Sequence, residues 1–121
     1  MFRKFRFDKN AVRKIVRDET VDVFETLKKR LIMSDGKSID DNPIEEMYRD
    51  YMNSWKVRFL EDGGVIRGEV FCDSKVSGLW PYYEYGSGSE KVVMKPHLRP
   101  VDSYLERRFW VISKKILNAV K

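Results

Sequence analysis

The sequence predicts an α+β fold: a long N-terminal helix, a short second helix, an antiparallel β-meander of three to four strands, and a C-terminal helix packed on one face of the sheet. Three observations predict it. Stretches near both ends of the chain carry apolar residues at three- and four-residue steps, the helix period. Between them, two runs alternate apolar and polar residues on either side of Asp62-Gly63-Gly64. Helices at the ends with strands between them suit helices segregated to one face of an antiparallel sheet. The 121 residues make a single domain, 1–121, and a hydrophobic content of 42% suffices for one core.

The first helix is expected over residues 9–33. Val12, Ile15, Val16, Val23, Phe24, Leu27, Leu31 and Ile32 form one apolar stripe, with Arg13, Lys14, Arg17, Asp18, Glu25 and Lys28 largely off it. No proline or glycine interrupts it, and Gly36 supplies a C-terminal stop. A second helix is expected at 42–52. Asn42 can cap it, Pro43 suits its first turn, and Glu45 completes a capping box; Ile44, Met47, Tyr48 and Tyr51 line its buried face. A β-hairpin is expected at 55–61 and 65–72, since glycine accepts the positive φ angles of a tight turn. A further short strand is expected at Tyr82–Tyr85, followed by a Gly86-Ser87-Gly88-Ser89 loop. The last helix is expected at 100–120. Pro100 suits its first turn, and Val101, Leu105, Phe109, Ile112, Ile116 and Val120 form its stripe. Neither long stripe can stay in water, so the two long helices are expected to pack together on one face of the sheet.

Charged residues reach 36%, with a net charge of +5 that is unevenly spread. Residues 1–33 carry 10 Lys/Arg against 5 Asp/Glu, residues 34–94 carry 7 against 12, and residues 95–121 carry 7 against 2. A basic chain with an acidic middle can bind nucleic acid, pair with copies of itself, or simply present a solvated mixed surface. No apolar run approaches the ~20 residues that cross a bilayer, so no membrane association is expected. The segment Met1-Phe2-Arg3-Lys4-Phe5-Arg6-Phe7 lacks the apolar stretch of a signal peptide. The single cysteine, Cys72, cannot form an internal disulfide, and synthesis in a reducing cytoplasm is expected. It reads as a small buried hydrophobe.

The most specific segment runs from Trp80 to Pro100, WPYYEYGSGSEKVVMKPHLRP. Pro96 and Pro100 fix two φ angles and bias the residues before them to extended backbone. Arg99, close to both, has Glu84 as its obvious carboxylate partner, either inside one subunit or in a contact between subunits. The segment resembles the head–tail connector or tail-component (neck, tail-completion) family of lambdoid and HK-type siphophages. Members of that family typically read Y-A-x-Y-V-E-Y-G-T-G, then a loop, then P-F-L-R-P-A and a terminal helix. Tyr82, Tyr83, Glu84, Tyr85, Gly86, Gly88, Pro96, Leu98, Arg99 and Pro100 occupy the matching places, with His97 where an aromatic is usual and Ser87 where threonine is usual. The Thr-Gly segment that often precedes the sheet is absent.

The resemblance implies a structural virion protein of the phage head–tail junction, made in the host bacterial cytoplasm. It implies a homo-oligomeric ring of six- or twelve-fold symmetry through which the DNA passes. The neighbours would be a stopper or adaptor on the head side and a tail terminator or tail tube on the other. Trp80, Tyr82, Tyr83, Glu84, Tyr85, Lys95, His97 and Arg99 are the candidate assembly residues. Trp80, Tyr82, Tyr83 and Tyr85 are the expected aromatic anchors, since so small a core cannot bury them all.

The alternative reading is a sequence-independent nucleic-acid-binding protein. Arg3, Lys4, Arg6, Arg13 and Lys14 are its candidate DNA-facing residues, interleaved near the N-terminus with Phe2, Phe5 and Phe7. Against it, Phe5 and Phe7 can dock into the core while the charges stay solvated, and no DNA-reading motif is evident. Catalysis is not expected. Glu84 has no second acid at suitable spacing, His97 has no metal-ligand partners, and Gly86-Ser87-Gly88-Ser89-Glu90-Lys91 lacks the Gly-Lys-Ser/Thr ending of a phosphate loop. No cofactor, metal or small-molecule substrate is expected.

Overall fold

In a computed structural model, which describes residues 6–34, 43–73, 75, 77–86 and 96–120, Asp8 opens the first helix. Its carboxylate accepts the backbone N–H groups of Asn10 (3.1 Å) and Ala11 (3.4 Å), pairing amides that a first helical turn leaves unsatisfied. Helix α1 then spans Lys9–Ser34. Helix α2 spans Pro43–Asn53, and its Tyr48 hydroxyl donates to the Leu31 carbonyl (2.8 Å) near the C-terminal end of α1. The expected stop at Gly36 and cap at Asn42 lie outside the described residues, as do loop residues 87–89.

Strands β1 (Trp55–Asp62) and β2 (Val65–Cys72) form the hairpin, paired antiparallel from Trp55↔Cys72 to Asp62↔Val65. Gly63 and Gly64 take φ of +58° and +81°, the two positive angles of a type I′ connection. Among the described residues the sheet has these two strands, not three to four. The expected strand at Tyr82–Tyr85 is instead helix α3, Trp80–Tyr85, which follows a single 3-10 turn at Ser77–Leu79. Pro81 presets helical φ in its first turn, and Gly86, at φ +76°, takes the left-handed stop after its last. Tyr83 and Glu84, adjacent in sequence, are both buried while Tyr85 is exposed, a helical pattern that strand alternation cannot produce.

Helix α4 spans Leu98–Leu117, two residues earlier than expected. Pro100 falls within its first turn, where a missing N–H breaks no helical bond. The two ends of the described chain meet: the Asp8 N–H donates to the Ala119 carbonyl (2.8 Å), and Phe7 bridges Val120.

Helix α1 is the centre of the fold, packed on both strands and against α4. Gly68 of β2 packs directly on α1: a Cβ there would lie 1.8 Å from the Thr20 hydroxyl oxygen, so only glycine lets α1 settle. The core gathers toward the C-terminal half of α1. Leu27, Leu31, Tyr48, Tyr51, Tyr83 and Val101 are buried, with Val23, Met52, Trp55, Val70, Cys72 and Leu98 packed around them. The stripe of α1 is buried at Leu27 and Leu31, half-buried from Val12 to Phe24, and ends before Ile32, which is 60% exposed. The stripe of α4 departs further from expectation. Val101 is buried, but Leu105 is 38% and Phe109 63% exposed. The reason is that α4 lies beside α1 and is separated from the hairpin by an open groove.

Candidate functional site

The segment with the most specific sequence folds around one buried carboxylate. Helix α3 carries Glu84 to the start of α4, where its side chain is fully buried. Oε2 accepts the backbone N–H groups of His97 (2.7 Å) and Leu98 (3.0 Å), and Oε1 accepts that of Arg99 (2.9 Å). A first helical turn has unpaired amides and the positive end of the helix dipole, so a carboxylate held there is favoured twice. The α4 N-cap residue, His97, makes no side-chain cap bond of its own; Glu84 does that work from thirteen residues away.

Two side chains complete the carboxylate's shell. Arg99 Nε lies 3.2 Å from Oε1, and its guanidinium stacks 4.8 Å from the Tyr85 ring. His97 Nδ1 lies 3.1 Å from Oε2, while its Nε2 lies 2.6 Å from the Tyr51 hydroxyl. A carboxylate only accepts, so Nδ1 carries a hydrogen, and in the neutral ring Nε2 accepts from Tyr51. Burial first, and then the nearby Cys72 and Glu84 groups, push the Tyr51 hydroxyl up and keep it a donor. Burial alone would raise Glu84, but the N–H groups of His97, Arg99 and Leu98, together with His97, hold it below the usual carboxylate range. Tyr51, Glu84 and His97 are all fully buried. Chemically, the arrangement fastens three helices, α2, α3 and α4, at one point.

The assembly candidates therefore divide. Tyr83, Glu84 and His97 are inside the subunit, where they hold the fold and offer no surface. Tyr83 packs on Tyr48 and Tyr51, with ring centroids 5.1 and 4.9 Å apart. Trp80 and Tyr85 are 41% and 55% exposed and face each other at 6.3 Å, and the Arg99 side chain is half-exposed beside them. The Tyr82 side chain and Lys95 lie outside the described residues, as do Arg3 and Lys4. Arg6 is exposed. Arg13 makes a two-bond pair with Glu61 of the hairpin (both 2.8 Å), and Lys14 pairs with Asp18. Both cations thus have a carboxylate partner within the chain.

Two features escaped the sequence reading. The first is a charged seam between α1 and α4. Glu19 is buried and accepts from Arg108 and Lys115 (both 2.6 Å), and Asp22 accepts from the Tyr104 hydroxyl. Burial would raise Glu19, but its two cations hold it low. These polar residues interleave with the apolar stripe, and only their registry across two helices marks them as a pair set. The second is the groove between β2 and α4, of about 430 Å³, with α1 as its floor. Val16, Val23 and Leu27 line the floor, Gly68 and Val70 the sheet side, and Leu105 and Ile112 the helix side. Among the described residues no group of His, Cys, Asp and Glu is placed to hold a metal, and no helix is long and apolar enough to cross a membrane. No family model, curated protein or solved structure matches this chain.

Proposed function

We propose that this chain is a structural, non-enzymatic subunit of a tailed-phage head–tail junction, working as one copy in a homo-oligomeric ring around the DNA path. One observation carries the assembly part. Among the described residues, seven hydrophobic side chains are buried, whereas twelve large ones are exposed, Phe109, Trp110 and Leu117 each by more than 60%. A solvated monomer gains nothing from that surface, and a subunit whose core continues into its neighbours does. The phage part rests on the resemblance of Trp80–Pro100 to the neck and tail-completion family. The Glu84 cap gives that segment a physical reason: the E-Y-G and P-x-L-R-P pieces supply the two halves of one helix-capping site.

The test is complementation of a phage whose own copy of this gene is deleted. Supplying the protein should restore infectious particles, and without it electron micrographs should show separate heads and tails. Normal joining of heads and tails without the protein would refute the reading. Steeply salt-dependent binding of the purified protein to duplex DNA, with no effect on joining, would favour the nucleic-acid-binding alternative.

A further inference from the structure

We draw no further inference here: the strongest candidate, the open apolar groove between β2 and α4 with α1 as its floor, carries none because nothing among the described residues shows what covers it.

Discussion

Replacing Glu84 by glutamine changes one atom type and should cost almost as much stability as removing the side chain. In the native site both oxygens accept, Oε2 from two amides and the His97 ring and Oε1 from one amide and Arg99. A glutamine amide keeps one acceptor and turns the other position into a donor. That donor must then face either the N–H groups of His97 and Leu98 or that of Arg99. Hydrogen bonds to a charged group are worth about 1.5–3 kcal/mol each, and a buried donor left unpaired costs about 1–3 kcal/mol. These terms overlap, so the expected loss is roughly 3–5 kcal/mol for Glu84→Ala and roughly 2–4 kcal/mol for Glu84→Gln, the range for breaking a buried charged set. Arg99→Ala, by contrast, removes a half-exposed partner and should cost about 1 kcal/mol or less. Urea unfolding followed by circular dichroism gives the ranking directly. The acid limb gives a second reading. Glu84 is depressed in the folded chain, so its contribution is fully present above the ordinary glutamate value of about 4.3 and is lost as pH falls through the lower folded value. The glutamine variant should therefore lose less stability than wild type on acidification below about pH 4.3. A Glu84→Gln protein as stable as wild type, with an unchanged acid limb, would show that the carboxylate does not cap α4.

Gly68→Ala should destabilise by about 1–3 kcal/mol because its Cβ meets Thr20, and Thr20→Ala should recover part of that loss in the double variant; additive losses in denaturant titrations would rule out the steric pairing. Glu19→Ala should cost roughly 1–3 kcal/mol, since it leaves two cations at the α1–α4 seam without their shared acceptor, and an unchanged melting curve would remove the seam from the account. Phe109→Asp should stay folded, because 63% of the residue is already exposed, and loss of its native circular dichroism would place Phe109 back in the core. Raising pH past the ordinary tyrosine value of about 10 should erode stability, because ionised Tyr51 is disfavoured when buried; Tyr51→Phe should flatten that alkaline limb.

The sequence was legible where the signal is local. Both long helices, the second helix and the hairpin sit within a few residues of their expected bounds, because periodicity, the Asp62-Gly63-Gly64 turn and Pro43 act within one element. At Tyr82–Tyr85 aromatic β-propensity points to a strand, but the residues that punctuate the segment decide for a helix. Pro81 and Gly86 bracket a single helical turn, and that turn was needed to bring Glu84 round to the α4 amides. The pairing of Glu84 with Arg99 was visible as a candidate, but the three backbone amides were not, since amides leave no mark in a residue pattern. Phe109 shows the other limit. Its helical spacing puts it on the apolar stripe, yet it is 63% exposed; which neighbour covers a stripe depends on where the helices lie, and here the sheet stops short of α4.

That stopping short divides the molecule into two energetically different ends. Toward the C-terminal end of α1, tyrosines, Leu27, Leu31 and the capped start of α4 close a core in which the Glu84 carboxylate is fully paired, while the Trp55 indole N–H beside it is buried without a hydrogen-bond partner among the described residues. Toward the other end, a hairpin of two strands is held by the contacts of Gly68 with Thr20, Arg17 with Phe59 and Arg13 with Glu61. Two strands alone are marginally stable in water, so this end depends on α1 for its order. Amide hydrogen exchange separates the two ends. The hairpin strand β2 should exchange faster than Leu27–Leu31 of α1. Equal protection of both ends would mean that the hairpin is held as firmly as the core.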